Sequence, residues 1–386
     1  MKKLPSLNPK KIKEVYIGNN ELSPFHSFYA NKKTVLRLAA GRYFAHYNGD
    51  DPVETYWALR KHAALYDVPE RPVEITGPDA LPFVEHIFSR KISDMATGRG
   101  RYAIACTFDG CLFMDGILFK LAENHFWFVH PDGELDAWLL AHRNGFDITI
   151  TDPHSRVLQL QGPKSFEIMH EVSNGQVDHE FLYFHSKFVT ISGQKVYVSR
   201  TGWSGELGYE IYTLGKETDC LSLWNHLLKI GTPKGLMFSS MQSINTRRIE
   251  AGILDSGSDF NTSICAFEVG LEKFIDLEKI GFIGRDALLS RPRGKRLFGV
   301  LCSDLIPSGG NLIFDGQIEV ARVTTGAYSP KLDTGIGYAL FHNSGNWVSK
   351  NLSIRSLDNG SKICKIVDLP FFDPKKRIPR QTISPP

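Results

Sequence analysis

The feature that most constrains the fold is an order of predicted elements that occurs twice. In residues 70–145 a strand is followed by a helix, three antiparallel strands joined by tight turns, and a second helix. In residues 155–232 a strand, a helix, a hairpin, a strand and a helix follow in a looser form of the same order. Such a repeat predicts two related α+β modules that pack together.

The pattern changes after about residue 290, where short strands are separated by turns rich in Gly, Asn and Asp. This change predicts a small C-terminal β-barrel or sandwich. The segment LLSRPRGK is basic and contains Pro and Gly, which is typical of a linker. We therefore expect an irregular N-terminal segment over 1–50 that packs on the core, two modules within 51–290 (about 51–150 and 151–290), and a barrel with a tail over 291–386.

Composition narrows the function classes. The chain has 386 residues, of which 42% are hydrophobic, and its formal net charge of +3 is too balanced to favour nucleic acid or a membrane surface as a partner. No apolar run approaches the about 18 residues of a membrane span, and the basic N-terminus lacks the apolar segment of a secretory signal. We therefore expect a cytoplasmic enzyme. The six cysteines are scattered without a CxxC pair, which favours reduced thiols over a metal site.

An acidic residue interrupts the apolar strand GCLFMDGILF. Asp115 lies there between Met114 and Ile117. A carboxylate is costly to bury unless it is paired or faces a site, so Asp115 is a candidate functional residue. The alternative is an Asp near a turn on the polar face of the strand, and the pattern leaves both interpretations open.

The segment RTGWSGELGYEIY combines three glycines with aromatic and acidic residues. Glycines allow a ligand to approach the backbone closely, Trp203 and Tyr209 offer flat rings, and Glu206 and Glu210 offer acceptors. This mixture suits a flat aromatic ligand with N–H donors. A hairpin loop with a satisfied surface is the alternative, and the glycine spacing is weak evidence for phosphate binding.

A third segment, TRRIEAGILDSGSDFN, places two arginines and a glutamate on a predicted helix. Arg247, Arg248 and Glu250 would project from different faces of that helix. An exposed ion pair is the alternative to a role in binding.

Taken in this order, the three segments resemble the glycine-cleavage T-protein (aminomethyltransferase) family, whose members bind tetrahydrofolate. GCLFMDG resembles the family's Gly-Gly-Ile-x-Asp-Asp stretch, RTGWSGELGYEI resembles R-T-G-Y-T-G-E-x-G-F-E-I, and RRIEAGILDSGSDF resembles L-R-L-E-A-G-L-x-x-Y-G-x-D. LYDVPERPVEITGPDA, LQLQGPKS, FEVGLEKFIDLEKIGFIGRDAL and VTTGAYSP resemble further family stretches, so the resemblance covers nearly the whole chain. It implies an α+β, three-domain fold around a central folate channel.

The resemblance also implies roles for individual positions. Asp115 keeps the second acidic position of the family, and we expect it to face the folate as a catalytic residue that acts through its charge. Glu210 matches the Glu that accepts hydrogen bonds from the pterin N–H groups, and Trp203 stands where the family has a Tyr near the pterin. The remaining folate-binding positions are matched by Tyr102, Val129 and Arg248. Asp115 and Glu210 are therefore predicted to meet around one buried slot.

Three departures from the T-protein pattern bear on the activity. Aminomethyltransferases carry S-H-M after L-Y-D-V, where this chain has Pro69, Glu70 and Arg71. Met114 replaces the first residue of the acidic pair, and Trp203 replaces the Tyr. These changes are similar to the folate-dependent demethylase branch, which includes dimethylsulfoniopropionate demethylase and the aryl-methyl-ether demethylases.

The resemblance to that branch implies an enzyme that moves a methyl group from a small methylated substrate (a sulfonium, an amine or an aryl ether) to N5 of tetrahydrofolate. One alternative is a T-protein that takes an aminomethyl group from a lipoyl carrier protein, and another is a non-catalytic folate-binding protein. An aryl ether needs a proton donor for its phenoxide, a role that Tyr29 or Tyr209 is chemically able to fill.

Overall fold

The structure is a computed structural model that describes residues 15–17, 19–130, 133–356 and 360–383. The strands are β1 (Val15–Ile17), β2 (Asn20–Leu22), β3 (Val35–Ala39), β4 (Arg42–Tyr47), β5 (Ala63–Val68), β6 (Arg71–Thr76), β7 (Arg99–Cys106), β8 (Leu112–Ala122), β9 (His125–His130), β10 (Thr149–Thr151), β11 (Val157–Gln161), β12 (Ser186–Ile191), β13 (Gln194–Ser199), β14 (Gly208–Tyr212), β15 (Leu236–Phe238), β16 (Leu297–Cys302), β17 (Leu312–Asp315), β18 (Ile318–Ser329), β19 (Thr334–Phe341), β20 (Asn351–Ser356) and β21 (Gly360–Val367). The α-helices are α1 (His26–Tyr29), α2 (Pro52–Lys61), α3 (Ala80–Ile87), α4 (Leu135–His142), α5 (Ser165–Val172), α6 (Cys220–Gly231), α7 (Met241–Glu250) and α8 (Arg285–Ser290).

The described part of the first 50 residues is regular, so the expectation of an irregular segment is wrong there. Strands β1 to β4 form a sheet in the order β1-β2-β4-β3. These strands are short, and their exposed residues do not alternate cleanly with buried ones, so the sequence pattern is weak. Phe25, just before α1, is fully buried against the ring of Trp224 from α6. The N-terminal sheet is thus anchored on the second module.

The predicted repeat corresponds to two sheets that share the order of four strands, β6-β9-β8-β7 in the first and β11-β14-β13-β12 in the second, with different strands added next to β6 and β11. The first module has the order β10-β6-β9-β8-β7, and the second has β12-β13-β14-β11-β5-β15. In each module the first strand (β6 or β11) is followed by a helix, three antiparallel strands and another helix. The prediction of two related modules in an α+β fold is therefore confirmed.

Local sequence explains where two of the helices begin. The Asp51 side chain accepts the N–H of Val53 at 2.8 Å at the start of α2, and Asp219 accepts the N–H of Ser222 at 2.9 Å at the start of α6. Both carboxylates thereby satisfy N–H groups that lack partners within the helix. None of the helices that the structure describes is long and apolar enough to cross a membrane.

Each module buries one sheet face under its own helices, and the opposite faces of the two sheets share a separate cluster. This intermodule cluster comprises Leu59, Ala64, Tyr66, Val68, Phe119, Trp127, Val129, Val157, Tyr197, Tyr212 and Ile244. The half-buried side chains of Ile117 and Trp203 pack against it. Alternate residues of a strand face opposite sides of the sheet. Polar residues two positions away from a cluster residue on the same strand therefore also face the space between the modules.

The C-terminal domain is a closed barrel in the order β16-β19-β18-β17-β20-β21, as predicted. The chain then returns to the modules instead of projecting into solvent. The Phe371 ring stacks on Tyr338 of the barrel, and the Arg200 guanidinium donates to the main-chain oxygens of Pro379 and Gln381. The described part of the tail therefore connects the barrel with the second module.

Candidate functional site

Glu210 is buried on β14, on the face directed at the first module. Its Oε2 accepts hydrogen bonds from Thr201 at 2.6 Å, from Tyr212 at 2.5 Å and from Ser199 at 3.3 Å. Its Oε1 accepts one from Gln159 at 3.0 Å. Burial raises the pKa of Glu210, although the hydroxyl donors oppose that shift. The carboxylate is held rigidly, and only Oε1 keeps room for a further donor.

A second acidic residue, Glu70, lies beside Glu210 and was not identified from the sequence. The Gln159 amide that donates to Glu210 also donates to Oε1 of Glu70 at 2.8 Å. Burial and the nearby charge of Glu210 raise the pKa of Glu70 to about 8. The signal available in the sequence was Gln159 itself, because β11 reads VLQLQ and all five of its residues are buried. A polar residue on the cluster-facing side of such a strand needs a polar partner.

Two glycines allow the glycine-rich loop to close over Gln161. A Cβ at Gly202 would lie 2.1 Å from the Gln161 side chain, and one at Gly208 would lie 2.3 Å from it. In the space that these glycines leave, the Gln161 amide donates to the main-chain oxygen of Thr201 at 3.1 Å and accepts from Ser204 at 2.7 Å. These bonds fix the loop next to Glu210.

The loop presents Trp203 at the edge of the intermodule cluster. Its Nε1 donates to the main-chain oxygen of Leu254 at 3.3 Å, and the guanidinium of Arg248 lies 5.1 Å from its ring centroid. Val129, 6% exposed, belongs to the same cluster from the opposite sheet. Trp203, Val129 and Glu210 are therefore brought to the same interface between the modules.

Asp115 occupies the matching surface of the first module, on β8. The Tyr102 hydroxyl donates to its Oδ2 at 2.7 Å, while its Oδ1 is buried and has no hydrogen-bond partner within the described residues. Burial and the charge of Asp255 raise the pKa of Asp115 to about 6, although Tyr102 opposes the shift. Asp255 follows Leu254, the residue that Trp203 contacts. By strand alternation Asp115 shares the face of β8 that carries Ile117 and Phe119, both in contact with the intermodule cluster, and no hydrogen bond joins it to Glu210 within the described residues.

Arg248 is buried, and its guanidinium group binds other groups of the protein. It forms an ion pair with Asp259 and donates to Thr325 at 3.0 Å and to the main-chain oxygen of Ile253 at 3.1 Å. These partners connect α7 with the loop after it and with the barrel. These bonds hold the Arg248 guanidinium in place against the ring of Trp203.

The two tyrosines considered as proton donors, Tyr29 and Tyr209, lie away from Glu210. Tyr209 is adjacent to Glu210 on β14, so it points to the opposite face, where it is fully buried in the core under α5 and α6. The Tyr29 hydroxyl donates to Asp67 at 2.7 Å, and its ring stacks on Phe238 at the edge of the same core. Neither phenol shares the interface that carries Glu210.

The described residues contain no group of three or more His, Cys, Asp or Glu side chains placed to hold a metal ion. All six cysteines are buried and free. The polar groups described around Glu210 and Trp203 are carboxylates, amides, hydroxyls and the guanidinium of Arg248, which act through hydrogen bonds and charge.

Comparisons with known proteins match almost the whole chain to one protein family. The family model of the GCVT N-terminal domain matches residues 30–279, and that of the glycine cleavage T-protein C-terminal barrel domain matches residues 295–373. An aminomethyltransferase of Lysinibacillus sphaericus (strain C3-41) is 30% identical over 329 residues, which is 83% of this chain and 89% of the relative. An aminomethyltransferase of Clostridium botulinum (strain Okra / Type B1) is 31% identical over 309 residues, 77% of this chain and 83% of the relative.

A solved structure has the same fold. The crystal structure of glycine cleavage system aminomethyltransferase T from Bartonella henselae superimposes with a TM-score of 0.81 and 20% sequence identity. The superposition covers 92% of this chain and 98% of that chain. Both modules and the barrel are thus part of one known architecture.

Proposed function

This chain belongs to the glycine cleavage T-protein family, and we propose that it is an enzyme that transfers a one-carbon unit to tetrahydrofolate bound between its two modules. The observation that carries the proposal is Glu210, a buried carboxylate held by four protein donors, near the interface where Trp203 packs against the cluster that contains Val129 of the other sheet. Reduced pterins are flat and carry N–H donors on one edge, which suits such a site.

The chemistry of the interface fits this cofactor. Oδ1 of Asp115 and Oε2 of Glu70 are buried acceptors without hydrogen-bond partners in the described part of the chain. Buried acceptors of this kind are costly unless a donor is supplied, and the pterin N–H groups are such donors. Tetrahydrofolate, when bound, supplies the nitrogen nucleophile of the reaction.

The protein's contribution is positioning and charge. Glu210 accepts from the pterin edge, Trp203 and Val129 hold the ring plane, and Tyr102 holds Asp115 in place. Ionised Asp115 stabilises positive charge that develops near the reacting nitrogen, an interaction realised most fully in the transition state. Holding the reactants within contact distance and in line supplies much of the remaining rate.

For the carbon donor we propose an aminomethyl group carried by a lipoyl protein. The support is that the relatives are aminomethyltransferases, together with their similarity over more than three quarters of this chain. The second candidate is a methyl group from a small methylated substrate. It is favoured by the segment Pro69–Arg71, which differs from the S-H-M of aminomethyltransferases and places Glu70 next to Glu210.

The test is incubation of the purified chain with tetrahydrofolate and one donor at a time, with the folate products identified by mass spectrometry. An aminomethylated lipoyl carrier protein should give 5,10-methylenetetrahydrofolate and ammonia, and the Glu210→Gln variant should lose most of this activity. Formation of 5-methyltetrahydrofolate from a sulfonium, an amine or an aryl ether would instead support the second candidate. If neither class of donor gives a folate product, the proposed function is wrong.

A further inference from the structure

Glu70 has an unusual set of partners for a buried carboxylate. Its Oε1 accepts from Gln159 at 2.8 Å, but its Oε2 is buried without any hydrogen-bond partner in the described residues. Within the described residues no hydrogen bond joins the nearby Arg42 to this carboxylate: its Nη1 donates to the main-chain oxygen of Glu70, its Nε donates to Glu21, and its buried Nη2 has no partner. One oxygen of Glu70 therefore needs a donor that the described chain does not provide.

Glu210 lies immediately next to this free acceptor. One nitrogen, Nε2 of Gln159, donates both to Oε1 of Glu70 and to Oε1 of Glu210, so the two carboxyl groups are neighbours. Oε2 of Glu210 already accepts from three hydroxyl groups. The acceptors left for a ligand are consequently Oε2 of Glu70 and the remaining lone pair on Oε1 of Glu210.

Trp203 borders the same pair. Its main-chain N–H lies 3.4 Å from Oε1 of Gln159, the amide that bridges the two acids. A flat ligand packed along the indole would direct its edge toward these carboxyl groups. Asp115, on the opposite sheet, accepts a hydrogen bond from Tyr102. The nearby charge that raises its pKa is that of Asp255, not that of Glu210.

We propose that Glu70 is a second ligand for the donor edge of the reduced pterin and acts together with Glu210. This inference rests on the proposed function. The 2-amino group and N3–H of a pterin lie side by side on one edge, and two adjacent acceptors match them. Asp115 then serves the other end of the ring, near the reacting nitrogen. Glu70 is thus a folate-binding residue in the segment that differs from the family's S-H-M.

The experiment compares two ligands and three proteins by isothermal titration calorimetry. The ligands are 5-formyltetrahydrofolate and its analogue with a methyl group in place of the 2-amino group. The proteins are the wild type, Glu70→Gln and, as a control, Glu167→Gln. Glu167 is exposed on α5, where it pairs with Lys164 at 2.7 Å, so its variant should bind both ligands as the wild type does.

The titrations are run at pH 9, above the pKa of about 8 of Glu70, so that the wild-type carboxyl group is ionised. Glu70→Gln keeps an acceptor for Gln159 but removes that negative charge, so its affinity for 5-formyltetrahydrofolate should fall about 10-fold or more. The 2-methyl analogue has no amino donor there, so it should bind the wild type and Glu70→Gln with nearly equal affinity. Equal loss with both ligands would indicate a general structural effect and overturn the inference, as would unchanged affinity of Glu70→Gln. If the wild type binds no folate, the proposed function itself fails, and that result is distinct from a failure of Glu70 alone.

Discussion

The Asp115→Asn substitution isolates the charge of one carboxylate at nearly constant shape. Asp115 is buried, Tyr102 holds one of its oxygens at 2.7 Å, and the other oxygen has no partner among the described residues. Loss of one preorganised electrostatic contact of this kind lowers turnover by about 10²- to 10³-fold. We therefore expect kcat to fall by about 10²-fold or more, with a smaller change in folate affinity.

The pH dependence gives this prediction a second readout. Because burial raises the pKa of Asp115 to about 6, wild-type turnover should decline as the pH falls through 6 and the carboxylate is protonated. Tyr102→Phe removes a hydrogen bond that favours the ionised form, so the decline should move to higher pH. Asp115→Asn should show no such decline in this range.

The assay is steady-state production of the folate product from pH 5 to 8, with folate affinity measured separately. Near-wild-type turnover of Asp115→Asn would refute the electrostatic role. Parallel losses of turnover and of folate affinity would refute it as well, because they would indicate that Asp115 contributes equally to ground-state binding.

Three further perturbations test the architecture around the site. Asp259→Asn leaves the buried charge of Arg248 unpaired, so urea denaturation should show a loss of about 3–5 kcal/mol, and a loss below about 1 kcal/mol would contradict the account. Gly208→Ala places a Cβ 2.3 Å from Gln161 and should cost about 1–3 kcal/mol and weaken folate binding; unchanged melting and binding would show that the loop does not depend on this contact. The pKa of Glu70, raised to about 8, lies above its unfolded value, so between about pH 4.5 and 8 the native state retains a proton that the unfolded state loses and stability falls as pH rises. Glu70→Gln should therefore be more stable than the wild type at pH 8, by a few kcal/mol on an order-of-magnitude scale, and nearly equal to it at pH 4.5; a gain of the same size at both values would argue against the shifted pKa.

The large-scale architecture could be predicted because its signals are local and repeated. Strands with period two, turns with Gly and Asp, and helices after the first and fourth strands occur in the same order in both modules. The N-terminal sheet was not predicted, because β1 and β2 have only three residues each and the buried residues of β3 and β4 do not alternate with exposed ones.

The positions of the individual site residues could be predicted only in part from the sequence pattern. Strand alternation in GYEIY already places Tyr209 and Glu210 on opposite faces of β14, so their separation could be predicted from the sequence. The place of Glu70 could not be predicted in this way, because Glu70 lies in the connection between β5 and β6, where no strand or helix period fixes the direction of its side chain. Only the tertiary contact with Gln159 brings it to Glu210.

The central claim is that a reduced folate lies between the two modules, and a crystal structure of the complex with 5-methyltetrahydrofolate tests it most directly. The account predicts a pterin ring packed between Trp203 and Val129, with its amino edge on Glu210 and Glu70 and its N5 toward Asp115. A ligand bound outside this interface, or a ring turned so that its amino edge faces Asp115, would contradict it.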